Sequence, residues 1–237
     1  MDLNQVLIEA AKDGNMLVLK TALEKEADIN AKDGSGMTAL MCAEQKGYAE
    51  IVDFLKEKGA KEEETDFAIV YYNSGKTYGA LGEYQKAIEE YTKAVELNPQ
   101  YVDRAYYNRG WAYFNLEEYQ KAIEEYTKVV ELIPYYTDAY HGRGRAYGAL
   151  EEYQKAIEDY TKVMELDPEY AGAYHARGLA YGVLGEYQKA IYDCYQAGFL
   201  YLKQNNKTQA PKCIDLMKTI DPSSPLIDKL QDLIDQI

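Results

Sequence analysis

YQKAIEEYTK at residues 84–93 returns letter for letter at 119–128, then as YQKAIEDYTK at 153–162, and once more, eroded to YQKAIYDCYQ, at 187–196. The intervals are 35, 34 and 34 residues. Ahead of each copy stands a matching stretch: YYNSGKTYGALG from Tyr71, YYNRGWAYFNLE from Tyr106, YHGRGRAYGALE from Tyr140 and YHARGLAYGVLG from Tyr174. Pro99, Pro134 and Pro168 follow the first three copies. A constant period near 34 residues means one supersecondary unit used four times, each burying its apolar face against its neighbour rather than around a single centre.

Each unit reads as two antiparallel helices. In the first helix Tyr71, Gly75, Tyr78 and Leu81 fall at i, i+4, i+7 and i+10, which predicts a buried stripe on one face. Gly75, Gly110, Gly144 and Gly178 hold one place inside that helix. A mid-helix glycine costs roughly 1 kcal/mol against alanine, so its recurrence predicts a crossing helix too close for a side chain. In the second helix Ala87, Ile88, Tyr91, Ala94 and Val95 form the inward stripe. Glu89 with Lys93, and their equivalents, predict i,i+4 pairs on the solvent side. Arg109, Arg143 and Arg177 precede the glycines and are expected to pair with second-helix carboxylates between repeats. The proline ends the unit.

These residues resemble the tetratricopeptide repeat over about 66–202: the tyrosine opening the first helix, the glycine four residues on, the tyrosine three after that, the alanine and tyrosine of the second helix, and the closing proline. The second unit carries one extra residue, and the fourth has Cys194 in place of the second-helix tyrosine and no terminal proline, as a last repeat facing a cap should. The N-terminal segment is different. GSGMTALMCAEQKGYAEIVDFLKEKGAK at 34–61 resembles an ankyrin repeat, and residues 3–33, with EAAKDGN and EADINAKDG, resemble a preceding copy. Met41 stands where the ankyrin family usually has histidine, so one bond bracing the turn is expected to be missing. Two copies are fewer than such stacks need alone. With only KEEET at 61–65 before the next helix, that helix is expected to cap the ankyrin pair.

The expected fold is therefore all-α: a right-handed helical-repeat solenoid with an ankyrin-like pair at 1–65, four tetratricopeptide units at 66–204 and C-terminal capping helices at 205–237. The tail predicts one helix from Thr208 to Ile220 with Pro211 in its opening turn. A second follows DPSSP, with Leu226, Leu230, Leu233 and Ile237 at helical spacing.

Composition bounds the function. The net charge is −14, made of −6 in residues 1–65, −7 in 66–204 and −1 in 205–237. With no basic segment, the phosphate-neutralising term behind nucleic-acid binding is missing, as is attraction to an anionic membrane. Twenty-five tyrosines stand against 4 Phe and 1 Trp, which suits a thin array in which a ring fills an interface while its hydroxyl reaches out. Cys42, Cys194 and Cys213 form no ligand cluster, and the odd count fits a reducing compartment. The opening MDLNQVLIEAAKDG is acidic and amphipathic, unlike a signal peptide. A cytoplasmic protein is expected; export as an effector by a signal-less route would use the same binding physics.

The chemistry, if it is binding, lies on a second face of each first helix. That face holds Ile69, Tyr72, Lys76 and Gly79, then Arg104, Tyr107, Trp111 and Phe114, then Asp138, His141, Arg145 and Gly148, then Gly172, His175, Leu179 and Gly182. Asn73 and Asn108 lie at its margin. The family resemblance implies that this face lines a peptide-binding groove. Lys76, Arg104 and Arg145 against Asp138 make it positive on a negative protein, which favours an acidic segment, and its aromatic residues supply anchors. The five-residue clamp with which some members of the family hold a chaperone's terminal carboxylate is matched only at Asn108: Tyr72, Lys76, Asp138 and Gly142 occupy its other places. No nucleophile–base pair, phosphate loop or zinc motif is present, so no catalysis, metal or cofactor is expected. The expected partner is a protein or peptide, and the chain is expected to be a monomer. The alternative is a self-assembling scaffold in which the last helix serves as groove ligand.

Overall fold

The computed structural model describes residues 2–61, 67–97 and 102–235; within them the chain forms fourteen α-helices and no strand. Two compact units divide it, Met1–Ala105 and Tyr106–Ile237. Residues 62–65 of the KEEET segment, Pro99 and Ile237 lie outside the described residues.

The first unit holds α1 (Leu3–Lys12), α2 (Met16–Glu24), α3 (Ala39–Lys46), α4 (Ala49–Glu57), α5 (Phe67–Ala80) and α6 (Tyr84–Leu97). Leu7, Ile8, Leu19, Leu40, Met41 and Leu55 build its core, and Val70 of α5 belongs to the same buried cluster. Gln45 Nε2 donates to the Tyr71 hydroxyl at 2.9 Å, and Asn73 Nδ2 to the Ser35 carbonyl at 3.3 Å. The first repeat helix thus covers the apolar flank that two ankyrin repeats leave open. The brace expected to be missing at Met41 is present in another form. The Met41 amide donates to Thr38 Oγ1 and the Thr38 amide donates to the Met41 sulfur, both at 3.3 Å. A thioether thereby closes a reciprocal N-terminal cap that a carboxylate or amide usually completes. Asp33 ties the preceding turn together, accepting from the Ser35 and Met37 amides at 2.9 and 3.0 Å and pairing with Lys12 of α1 at 3.0 Å.

The remaining helices are α7 (Val102–Asn115), whose first turn falls in the first unit, then α8 (Tyr119–Leu132), α9 (Thr137–Ala149), α10 (Tyr153–Leu166), α11 (Ala171–Val183), α12 (Tyr187–Lys203), α13 (Ala210–Ile220) and α14 (Pro225–Asp235). Helices pair within repeats, α5 with α6, α9 with α10 and α11 with α12, and in the second unit α8 also packs on α9 and α10 on α11.

The stripe predicted for the first helix needs correction. Leu81 lies beyond the end of α5 and is 67% exposed. Apart from Val70 of α5, which joins the N-terminal core, what the first helices bury is small: Ala68, Gly75 and Gly79 in α5, Ala139, Gly144 and Ala146 in α9, and Ala171, Ala173, Gly178 and Ala180 in α11. These helices are flanked on more than one side, and only small residues admit such close approach. The recurring glycines make room for a tyrosine ring rather than for a crossing backbone. A Cβ at Gly110 would meet the Tyr126 ring at 3.0 Å, and one at Gly142 would meet the same ring at 2.6 Å. Tyr126, 2% exposed, is therefore held between glycines of two successive repeats. In the last repeat Cys194 replaces the ring, and Gly178 is crowded by the Cys194 sulfur at 3.0 Å and the Ala190 carbonyl at 3.1 Å.

Charge pairing also differs from the expectation in two ways. Arg143 meets Asp159 of its own repeat through two bonds of 2.7 and 2.8 Å, and Arg177 meets Asp193 likewise at 2.7 and 3.0 Å. The bond that reaches the preceding repeat goes to a hydroxyl, Thr127 Oγ1 at 3.2 Å from Arg143 and Thr161 Oγ1 at 2.9 Å from Arg177. Arg109 pairs with Glu125 at 2.7 Å. The lysines expected to pair at i,i+4 with Glu89, Glu124 and Glu158 pair instead at i,i+3: Lys93 with Glu90, Lys128 with Glu125, and Lys162 with Glu165. Glu90 and Glu125 lie on the interior side of the helix, where their charge is poorly solvated, and draw the ammonium inward. In the third repeat Asp159 is short and committed to Arg143, so Lys162 turns the other way.

The tail packs on the fourth repeat. Cys213, Ile214 and Met217 of α13 and Ile227 and Leu230 of α14 join Ile191, Cys194 and Ala197 of α12 in one buried cluster. Leu230 presses so close to α12 that a Cβ at Gly198 would lie 2.4 Å from its Cδ2. The apolar stripe of α14 runs through Ile227, Leu230 and Ile234, with Leu226 partly buried beside it, and is covered within its own chain.

Candidate functional site

The first-helix face was expected to run through all four repeats. In the first unit, Tyr72 is half-buried with its ring 5.9 Å from that of Tyr91, and the exposed Lys76 ammonium lies 5.9 Å from the Tyr72 ring. Asn73 is engaged with Ser35, and Arg104 is exposed.

In the second unit the same face deepens into a cavity of about 480 Å³. Seven residues of the predicted face line it: Phe114 of α7, His141, Arg145 and Gly148 of α9, and Gly172, His175 and Leu179 of α11. Spacing puts them there, since residues three and four apart share a helix face. Tyr107, Asn108, Trp111 and Asp138 do not line it. Tyr107 instead packs its ring against Tyr126 at 5.7 Å and Tyr136 at 5.4 Å. The lining residues that lie off that face are Tyr153, Ala156 and Tyr160 of α10, Ala176, Ala180 and Val183 of α11, and Tyr201 of α12. Tyr160 could have been found, because it repeats the inward tyrosine of every second helix. Tyr201 could not: it lies in the extra turn that makes α12 17 residues long where α10 has 14.

The cavity's polar groups are few and individually placed. The Arg145 guanidinium sits 4.4 Å from the centre of the Phe114 ring, a cation–π contact that fixes the charge at the rim. The Phe114 ring is held in turn by an edge contact with Tyr119 at 5.3 Å. His141 lies between Tyr160 and Tyr170, with ring centres 5.8 and 5.0 Å away. The Tyr170 hydroxyl donates to Asp138 at 3.2 Å and lies 3.5 Å from His141 Nδ1. Burial, and then the positive charge of Arg145, hold the His141 pKa down at about 4, against an upward pull from Asp138. Burial and Lys212 of α13 lower that of His175. Both imidazoles are neutral at pH 7. Leu179 and Val183 leave 43% and 62% of their surface open on the same wall. A mostly apolar recess with a few convergent polar groups is what holds a side chain or short segment of a ligand.

Models of the tetratricopeptide repeat match residues 68–101, 103–136, 137–170 and 159–192, and a model of ankyrin repeats (many copies) matches 7–55. The crystal structure of MamA is 30% identical, covers 71% of this chain and 98% of its own, and superposes with a TM-score of 0.57. The chain belongs to the tetratricopeptide-repeat family. Two further tetratricopeptide-repeat structures share the fold at TM-scores of 0.50. One is YrrB, described as having an unusual peptide-binding site, at 22% identity over 71% of this chain and 94% of its own. The other is the TPR2B domain of yeast Sti1 in a pHsp70 complex, at 24% identity over 52% of this chain and 98% of its own. No curated protein matches the chain by sequence. Among the described residues, no helix of this tetratricopeptide-repeat protein is long and apolar enough to cross a membrane.

Proposed function

We propose that this chain is a non-catalytic scaffold for protein interaction, holding a peptide or protein segment of acidic character against the first-helix face of its tetratricopeptide repeats. The observation that carries the reading is the cavity between Phe114, Arg145, His175 and Leu179: an apolar recess with a guanidinium at its rim on a chain of charge −14. The guanidinium attracts a carboxylate at short range, while the net negative charge holds whole copies of the chain apart. The corresponding face carries Tyr72, Asn73 and Lys76 in the first repeat, Arg104, Tyr107, Asn108 and Trp111 in the second, and Asp138 in the third. Residues 1–65 offer a second interaction surface, 66–204 the receptor and 205–237 its closing helices.

A photo-crosslinking residue placed at Leu179 tests this against one placed at Phe199, which is 44% exposed on α12. Partners should crosslink at 179 and be lost when Arg145→Glu is added, with helicity unchanged. Crosslinking at 199 alone would move the binding face to the second helices and refute the groove.

A further inference from the structure

The groove reading leaves open what kind of segment is held, and α13 narrows the choice. This helix packs on α12 as α11 packs on α10 and α9 on α8, and α14 follows it as a second helix would. The tail is thus a shortened fifth repeat, with its first helix next in the row after α9 and α11. A Cβ at Gly182 of α11 would already touch Ile220 of α13, at 3.6 Å. The row of first helices in this unit therefore ends on α13, which brings Lys212 within electrostatic reach of His175.

Two cation–imidazole pairs result. Arg145 lies one turn from His141 on α9, and the positive charge of the exposed Lys212 on α13 acts on His175 of α11. Between them lies the apolar wall of Leu179 and Val183. The carboxylate on this face, Asp138, already accepts the Tyr170 hydroxyl. Resting on the groove reading above, we infer that the ligand is an extended segment with two carboxylates flanking an apolar side chain, one carboxylate for Arg145 and His141, the other for Lys212 and His175, with the apolar group against Leu179 and Val183. Neighbouring helices lie about 8–10 Å apart, and an extended chain advances about 3.3 Å per residue. Two helix spacings from α9 to α13, shortened by the long cationic side chains, set the carboxylates about five residues apart.

Binding then takes up protons. His141 is faced by Arg145 and Asp138 on its own helix, by Tyr160 on α10 and by Tyr170 in the turn before α11. His175 feels the positive charge of Lys212 on α13, and Tyr201 of α12 lines the same cavity. These surroundings keep both rings neutral in the empty groove, and a carboxylate laid against each favours its charged form. Affinity therefore rises on acidification, approaching tenfold per pH unit for each proton taken up.

A phage-displayed library of random dodecamers, sorted on the full-length chain, tests the recognition. Enrichment of two acidic positions about five residues apart around an apolar one supports it, provided Arg145→Glu and Lys212→Glu each switch one of those positions away from acidic. Both residues are exposed, so both variants should fold. Enriched peptides without the acidic pair, or with a pair indifferent to both reversals, overturn this inference and leave the groove standing. A library that yields no binders removes the groove reading itself. The proton coupling is tested by fluorescence anisotropy with the enriched peptide at pH 7.5 and 5.5. The wild type should bind more tightly at the lower pH and the His141→Gln/His175→Gln variant equally at both; the same response in both proteins overturns the coupling.

Discussion

At the scale of single residues, the four repeats serve as controls for one another. The turn between the two helices of a unit needs a left-handed residue, supplied by Gly82 in the first repeat and Gly185 in the fourth, each at φ 77°. In the second and third repeats Glu117 and Glu151 take that place at φ 62°. A side chain in this region costs about 1–2 kcal/mol, partly offset because glycine loses more chain entropy on folding. Glu117→Gly and Glu151→Gly should each stabilise the protein by about 1 kcal/mol, and a thermal melt with no gain would refute the strain. Arg143→Ala should cost about 3–5 kcal/mol, since it strands Asp159 in a buried site; chemical denaturation reads the loss, and Arg143→Lys should recover only part of it. His141 gives a pH dependence of known sign. Its folded pKa of about 4 lies below the ordinary 6.5, so between those values the unfolded chain binds a proton that the native chain does not. Stability should fall as the pH drops from about 6.5 to 4, with a shallower fall in His141→Gln.

At the scale of elements, helix positions and pairing were legible in the sequence because the period repeats every turn residue and every proline. The small residues of the first helices were legible too, but their meaning was not. Tyr71, Gly75, Tyr78 and Leu81 read as a stripe by spacing alone, yet Leu81 falls past the end of α5. Spacing fixes a face, not how far the helix runs. The site was partly legible for the same reason. Phe114, His141, Arg145, His175 and Leu179 share a periodic face and line one cavity, whereas Trp111, on the same face, lies outside that lining. Tyr201 and Lys212 come from an extended helix and from a tail whose repeat period has decayed, so no self-comparison could reach them. The tail makes its own prediction. Ending the chain at Pro222 removes Ile227 and Leu230 from the cluster they share with Cys213 and Met217. Burial of two such side chains contributes about 3–6 kcal/mol, so the melting temperature should fall sharply, while an unchanged melt would mean that α14 is not a structural cover.

At the scale of the whole molecule, the covered stripe of α14 argues against assembly through that helix. Light scattering should give a monomer mass for the full chain. A dimer that dissociates when the chain ends at Pro222 would instead return α14 to the part of a ligand between chains. A stack of repeats also has no single centre to protect it, so its strength is distributed bond by bond. The arginine that locks first helix to second helix in the later repeats is Ser74 in the first, where Glu90 is left to Lys93. The pair formed by α5 and α6 should therefore open at less cost than the pairs that carry the arginine lock, and its amides should exchange with solvent hydrogen sooner than those of α9 to α12.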